Sequence, residues 1–356
     1  MADNYFQDRD RKNLAKLREL RDKLPSFCRE YFVSVSSRFS VLTRLAYARD
    51  LLIFFDYLCR FTDCGASAPT DFTLEMLDQL KAFHIEEYMD YLSAYEYNGT
   101  EYHNGPQAKL RKVSSVRSLF KYLYSRDYLS ENVASKVMAP SVKEHEIIRL
   151  EREEMERLLD EVERGAPDEG GHGPAYRKNV SLRDTAIVSL LLGTGIRISE
   201  CVGLNVDDVD FESLQFTITR KGGKRTILYL PQEVAEVMKA YLEERLLIRA
   251  ETDAFFLSLQ QKRINVRTVQ KMVKMYASCA VPMKTITPHK LRSTFGTNLY
   301  RETKDIYIVA EVLGHSDVNT TKRHYAAISE DIKRSAAGVI TLRSRKNTPP
   351  EEDDEE

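Results

Sequence analysis

Two stretches decide the fold of this 356-residue chain: Thr287-Pro-His289-Lys-Leu-Arg292 and Leu313-Gly-His315-Ser-Asp-Val-Asn-Thr-Thr-Lys-Arg-His-Tyr325. A third stretch, Gly193-Thr-Gly-Ile-Arg197-Ile-Ser-Glu200, lies upstream. Along the chain, the three stretches contain in order an arginine, a His-x-x-Arg pair, a second histidine and a tyrosine. A single arginine or tyrosine would indicate little, because the chain holds 19 tyrosines. Their joint occurrence in this order indicates a site.

The residue types in these stretches suit a phosphodiester. An arginine guanidinium donates two parallel hydrogen bonds to phosphate oxygens, and a histidine either donates to them or moves a proton. A tyrosine is a phenol that can attack phosphorus and remain covalently attached. The combination therefore predicts chemistry on a phosphate ester.

A β-hairpin with a basic tip is predicted between these stretches. Residues 216–220 and 225–230 alternate between apolar and polar side chains, and Lys221-Gly-Gly-Lys224 between them is typical of a tight turn. A lysine at such a tip could donate a proton to a leaving group. From the residues alone, Lys221 and Lys224 compete for that role.

These motifs resemble the active site of the tyrosine recombinase, or phage integrase, family, and the layout resembles its Xer-like two-domain members. The resemblance implies that Tyr325 attacks a scissile phosphate and forms a 3′-phosphotyrosyl intermediate. It implies that Arg197 and Arg292 neutralise the phosphate, and that His289 accepts the proton of the phenol. His315 would donate to a nonbridging oxygen. Lys221 would protonate the 5′-oxygen, because the family places its lysine first in such a turn.

The resemblance also implies a mainly α fold with a small β-sheet. We expect an N-terminal helical core-binding domain at residues 1–138 and a linker at 139–150. A C-terminal α+β catalytic recombinase domain would span 151–342, followed by a disordered acidic tail at 343–356. The sequence holds no phosphate-binding GxxxxGK[ST] loop and no Cys-x-x-Cys pair. We expect neither a cofactor nor a metal.

Helical periodicity supports the N-terminal part of this expectation. We predict helices over 43–58, 85–95 and 109–124, with a loop marked by Asn98-Gly and Asn104-Gly-Pro. The last helix would turn its apolar residues inward and its basic residues outward. The predicted outward residues are Lys109, Arg111, Lys112, Arg117 and Lys121.

The formal charge of −1 hides an uneven distribution of charge. The last six residues are all acidic, and without them the formal charge would be about +5. Residues 251–300 hold eight lysines or arginines against two acids, whereas residues 51–100 hold two against nine. Local basic surface, rather than the total, decides contact with DNA. No apolar stretch reaches the length of a bilayer span. We therefore expect a soluble, cytoplasmic protein without a membrane partner.

The expected partner is double-stranded DNA, on which the protein would form a tetramer across two sites, alone or with a paralogous recombinase. A DNA translocase or an excisionase is a further candidate partner. Resolution of chromosome or plasmid dimers and mobile-element integration or excision both fit. The alternatives are a type IB topoisomerase-like nicking-closing enzyme and a non-catalytic accessory DNA-binding protein. A purely local interpretation also exists for Arg197, which would pair with Glu200 three residues later.

Overall fold

The computed structural model describes residues 5–140, 148–165, 174–220, 222–314 and 318. The described residues fall into two compact units, one within residues 4–145 and the other within 146–356. The predicted acidic tail at 343–356 lies outside the described residues, as do residues 141–147 of the predicted linker.

The N-terminal unit is built from helices and one small sheet. Its elements are α1 (Tyr5–Arg21), α2 (Cys28–Ser34), α3 (Val41–Phe61), α4 (Leu74–Asp78), α5 (Ala82–Tyr91), β1 (Ala94–Tyr97), β2 (Thr100–His103) and α6 (Pro106–Tyr124), with 3-10 turns at Val35–Ser37, Pro69–Asp71 and Val133–Ser135.

Helix α3 is the centre of this unit. It begins where the Ser40 hydroxyl accepts a hydrogen bond from the Thr43 amide at 3.2 Å, which satisfies one of the free N–H groups of the first turn. Its middle is apolar on nearly every side, and Phe54, Phe55 and Leu58 are fully buried. A helix that is apolar all round needs neighbours on several sides. Helix α3 packs against both α1 and α6.

The segment after α5 differs from the prediction. The predicted helix over 85–95 ends at Tyr91, and the predicted loop is an antiparallel pair of strands, β1 with β2. Asn98 and Gly99 form its turn with φ of 52° and 70°, the left-handed conformation that two-residue hairpins require. The Tyr95 and Tyr102 rings stack across the pair at 5.3 Å. The Asn-Gly dipeptide between alternating residues therefore indicates a hairpin rather than a loop.

Lys112 is a second correction. It was predicted to face outward, but it is buried, with its ammonium 3.4 Å from the buried carboxylate of Asp50 on α3. Arg111 also pairs with Asp50 from a half-exposed position. Burial raises the pKa of the Asp50 carboxyl, and the two cations oppose that change. The helical pattern failed here because α3 carries a carboxylate at the interface between α3 and α6.

The C-terminal unit is an α+β arrangement. Its elements are α7 (Arg152–Arg164), α8 (Pro174–Thr194), α9 (Ile198–Gly203), β3 (Val209–Asp210), β4 (Gln215–Thr219), β5 (Arg225–Tyr229), α10 (Gln232–Leu246), α11 (Val266–Ala280), α12 (Pro288–Thr303) and α13 (Ile306–Leu313), with a 3-10 turn at Val206–Asp208. The predicted hairpin is confirmed as β4 and β5, which pair antiparallel in a sheet of order β3-β4-β5.

Helix α8 is the centre of the C-terminal unit and packs against α7, α10 and α12. Ile187, Leu190 and Leu191 are fully buried on it. Its end brings the chain to Gly195 and Arg197, beside α12 and α13. Among the described residues, no helix is long and apolar enough to cross a membrane.

We predict that Asp50→Asn lowers the free energy of unfolding by about 3 kcal/mol, because it leaves the ammonium of Lys112 buried without a carboxylate. Urea denaturation followed by circular dichroism measures the change. Glu156→Gln, which removes an exposed pair with Arg152, is the control and is expected to cost less than about 1 kcal/mol. The double variant Asp50→Asn/Lys112→Met is expected to recover stability, and a further loss in it would contradict the account.

Candidate active site

The His-x-x-Arg pair lies on the first turns of α12. Pro288 opens the helix, where its missing N–H costs nothing, and Thr287 precedes it in an extended conformation. His289 is exposed at this end, whereas Arg292 is buried, with 5% of its surface accessible. Residues three apart share a helix face. The pair therefore presents an accessible imidazole and an inward guanidinium on one side of α12.

Arg197 lies at the start of α9, after a tight turn. Its Nη1 donates to the Glu200 carboxylate at 2.9 Å, and its backbone N–H donates to the same carboxylate at 2.8 Å. The predicted pairing of Arg197 with Glu200 is therefore confirmed. Glu200 is buried, while 39% of the Arg197 side chain remains accessible. The carboxylate thus fixes the direction of a guanidinium that still faces solvent.

Gly195 brings this turn close to α12 and α13. Its φ is +62°, and a Cβ at this position would collide with the ring of Phe295. The Gly195 carbonyl accepts a hydrogen bond from Arg292 Nη1 at 2.7 Å. The turn before Arg197 and the helix that carries Arg292 are therefore held together directly.

The C-terminal end of α13 joins three arginines. The last carbonyl groups of a helix lack partners within it, and the helix dipole makes them attractive to cations. Here the carbonyl groups of residues 311–314, called the α13 end below, all accept guanidinium hydrogen bonds. The donors are Arg220 Nη1 on Glu311 at 3.3 Å, Arg220 Nη2 on Val312 at 2.8 Å, Arg292 Nη2 on Leu313, and Arg197 Nη2 on Gly314 at 3.1 Å.

Gly314 makes this convergence possible. It closes α13 in the left-handed conformation, with φ of 63° and ψ of 49°. A Cβ on this residue would collide with the Arg220 guanidinium. Glycine in the Leu313-Gly-His315 motif is thus needed both for the conformation of the chain and for the approach of Arg220.

The site carries an excess of positive charge. Three guanidinium groups meet at the α13 end, and Glu200 is the carboxylate that pairs with Arg197. Burial lowers the pKa of the Arg220 guanidinium, Glu200 opposes that change, and Arg197 adds to it. An arginine nevertheless stays charged at neutral pH. Neutral carbonyls orient these charges without cancelling them, so the arrangement suits an anionic ligand.

The described residues bring together part of the predicted site. Arg197 and Arg292 contact neighbouring carbonyls at the α13 end, and His289 lies one turn before Arg292. Three further predicted site residues, Lys221, His315 and Tyr325, lie outside the described residues. Arg220 was missed by the sequence reasoning, because a basic residue before a Lys-Gly-Gly turn is common and its contact with α13 is long-range.

Comparison with known proteins defines the class. The phage integrase family matches residues 148–331, which is more than half of the chain. The chain is 33% identical over 300 residues to a tyrosine recombinase XerC from Caldanaerobacter subterraneus, covering 82% of this chain and 79% of that protein. It is 30% identical over 353 residues to a tyrosine recombinase XerS from Streptococcus gordonii, covering 90% and 97% respectively. The chain belongs to the phage integrase family of tyrosine recombinases.

Solved structures share the fold. The recombinase XerH bound to its palindromic difH substrate, in a post-cleavage complex, matches with a TM-score of 0.62 at 21% identity, covering 84% of this chain and 80% of that one. A lambda integrase tetramer bound to a Holliday junction matches with a TM-score of 0.58 at 15% identity, covering 84% and 76%. The predicted family, fold class and enzyme class, a tyrosine-type site-specific DNA recombinase, are confirmed. The topoisomerase-like and accessory alternatives are not favoured.

We predict that Arg197→Lys and Arg292→Lys each slow DNA cleavage by about 10²–10³-fold, because an ammonium cannot hold a carbonyl and a phosphate in one planar fork. Single-turnover cleavage measures the effect, with Arg152→Lys on the exposed side of α7 as the control. Unchanged melting temperatures separate lost chemistry from lost folding. Cleavage within a few-fold of the wild type in either variant would remove that arginine from the site.

Proposed function

We propose that this recombinase cleaves and rejoins DNA at a specific site through a 3′-phosphotyrosyl link between Tyr325 and the DNA. The observation that carries the assignment of the site is the placement of Arg197 and Arg292 on adjacent carbonyls, those of Gly314 and Leu313. Two guanidiniums fixed side by side fit the two nonbridging oxygens of one phosphodiester. The chain continues directly from this point into His315, which favours a role for that histidine at the same phosphate.

In the proposed first step, the phenolic oxygen of Tyr325 attacks phosphorus and the bond from phosphorus to the 5′-oxygen breaks. The phenol proton passes to His289, whose neutral imidazole can accept it. The electron pair of the broken bond stays on the 5′-oxygen, which takes a proton from the Lys221 ammonium. Arg197, Arg292 and His315 stabilise the charge that develops on the nonbridging oxygens.

Rejoining is the reverse reaction with a different strand. A 5′-hydroxyl attacks the phosphotyrosine, the bond from phosphorus to Tyr325 breaks, and the phenol recovers its proton. The energy of the original phosphodiester is kept in the phosphotyrosine link, so the exchange requires no nucleotide. The accessible position of His289 at the start of α12 supports its acting as a base in cleavage and as an acid in rejoining.

The two units support a division of labour. We assign residues 1–138 to a core-binding domain that holds the duplex and residues 151–342 to the catalytic domain, joined by a linker at 139–150. On α6, Arg111, Lys121 and nearby Arg126 are exposed and could contact phosphates. Because such contacts release counterions, binding by this unit is expected to weaken steeply with salt.

We further propose that the enzyme assembles as a tetramer on two DNA sites. Lambda integrase, which shares the fold, is known as a tetramer bound to a Holliday junction. A paralogous recombinase in the same assembly, and a translocase or an excisionase beside it, are the partners that the sequence predicts. Sedimentation of the protein with its site distinguishes a tetramer of one chain from a mixed one. Because the substrate is DNA, we expect the enzyme to act in the cytoplasm.

We predict that Tyr325→Phe binds the DNA site normally but forms no covalent adduct, because the variant loses only the phenolic oxygen. A nicked suicide substrate traps the adduct, which is detected as a protein–DNA band that resists denaturation. Tyr300→Phe, on α12, is a matched control that is expected to retain the adduct. An adduct with the Tyr325 variant would refute the assignment of the nucleophile.

We predict that Lys221→Ala slows cleavage by about 10²–10⁴-fold, the usual contribution of a general acid. A substrate with sulfur in place of the 5′-oxygen should restore most of the rate, since a thiolate leaves without protonation. Lys224→Ala is the matched control at the other end of the turn. Rescue by sulfur in the Lys224 variant but not in the Lys221 variant would transfer the role to Lys224.

A further inference from the structure

Arg220 connects two parts of the site that are far apart in sequence. It is the residue after β4 and directly precedes Lys221 in the chain. Its backbone is fixed in the hairpin, where its N–H donates to the Lys224 carbonyl at 2.8 Å and its carbonyl accepts from the Gly223 amide at 3.0 Å. The strands on both sides of this turn are paired up to Thr219 and Arg225. These backbone hydrogen bonds make Arg220 the base of the Lys221-Gly-Gly-Lys224 turn, called the lysine turn below.

The side chain of the same residue reaches α13. Its two terminal nitrogens donate to the carbonyls of Glu311 and Val312, at 3.3 Å and 2.8 Å. Its Nε is buried and has no hydrogen-bond partner among the described residues. A buried donor left without a partner costs free energy. The guanidinium therefore donates to the helix end with two of its nitrogens, while its Nε makes no hydrogen bond to the described residues.

We propose that Arg220 is a positioning residue that anchors the lysine turn to the α13 end and so holds Lys221 at the leaving oxygen. The inference rests on the proposed function, in which Lys221 protonates that oxygen. The hairpin is otherwise exposed near its tip, with Gly222, Gly223 and Lys224 all accessible. Two adjacent glycines at φ of +86° and +81° leave the turn conformationally free, so an anchor at its base decides where the tip points.

The geometry separates this role from phosphate binding. Arg197 and Arg292 occupy the last two carbonyls of the α13 end, next to His315, while Arg220 occupies the two preceding ones. Arg220 therefore lies on the side of the α13 end from which the hairpin approaches. Its loss is expected to disturb leaving-group protonation more than binding of the phosphate.

The test compares Arg220→Lys and Arg220→Gln with the wild type on two suicide substrates, one with a 5′-oxygen and one with a 5′-sulfur leaving group. We expect cleavage of the oxygen substrate to slow by about 10–100-fold, the effect of a small displacement of a catalytic group. The sulfur substrate should be cleaved within about threefold of the wild-type rate, since it needs no proton. Lysine keeps the charge and glutamine keeps a donor, so both variants test the two-pronged contact.

Arg245→Lys is the matched control. Arg245 is buried and donates to the carbonyls of Thr252 and Ala254, at 2.7 Å and 3.2 Å, so its loss removes the same kind of contact elsewhere in the C-terminal unit. Its ratio of sulfur to oxygen cleavage rates should equal that of the wild type.

Coupling between Arg220 and Lys221 is measured with the double variant Arg220→Lys/Lys221→Ala, which should cleave the oxygen substrate no more slowly than Lys221→Ala alone.

Equal losses on both substrates would overturn the inference and would make Arg220 a general support of the fold. Multiplying losses in the double variant would overturn it as well, because the two residues would then act independently. Failure of sulfur to rescue Lys221→Ala would instead refute the proposed acid, and the inference with it. Sulfur rescue of Lys221→Ala therefore distinguishes the two cases: without rescue the proposed acid is wrong, and with rescue only the positioning role of Arg220 is in question.

Discussion

The proposed active site depends on the carbonyl groups at the α13 end, which accept hydrogen bonds from guanidinium groups. The last carbonyl groups of a helix have no partners within it and must find donors elsewhere, commonly water at exposed ends. In this protein three guanidiniums supply them, and each keeps its charge. One structural requirement, the capping of a helix, thereby brings together Arg197 and Arg292, the proposed phosphate-binding residues, and Arg220 beside them. The electrostatic attraction between a helix C-terminus and arginine offsets part of the repulsion among the three.

This arrangement explains why the site can be assembled from distant parts of the chain. Arg197 follows α8, Arg220 ends β4, and Arg292 lies on α12, so their relative positions depend on the packing of the whole C-terminal unit. Each donates to a carbonyl of residues 311–314, and Arg197 also donates to the carboxylate of Glu200. Backbone carbonyls vary little with sequence, which makes them reliable anchors. The two glycines, Gly195 and Gly314, allow the main chain to approach closely enough.

Local features of this structure were predictable from the sequence, and long-range ones were not. The pairing of Arg197 with Glu200, the β4–β5 hairpin and the start of α12 at Pro288 all follow from neighbouring residues. The resemblance in sequence, rather than any local pattern, joined Arg197 with Arg292. Lys112 was misplaced because its partner, Asp50, lies on another helix. Arg220 was missed for the same reason, since its contacts with Glu311 and Val312 span some 90 residues of sequence.

A crystal structure of the enzyme on its DNA site, with vanadate bridging Tyr325 and the free 5′-hydroxyl, tests the central claim most directly. Vanadate adopts the five-coordinate geometry of the reacting phosphorus. The account predicts that Arg197 and Arg292 both donate to its equatorial oxygens, at about 2.7–2.9 Å, while they remain on the carbonyls of Gly314 and Leu313. A vanadate held away from these two guanidiniums, or an α13 end that has released them, would contradict it.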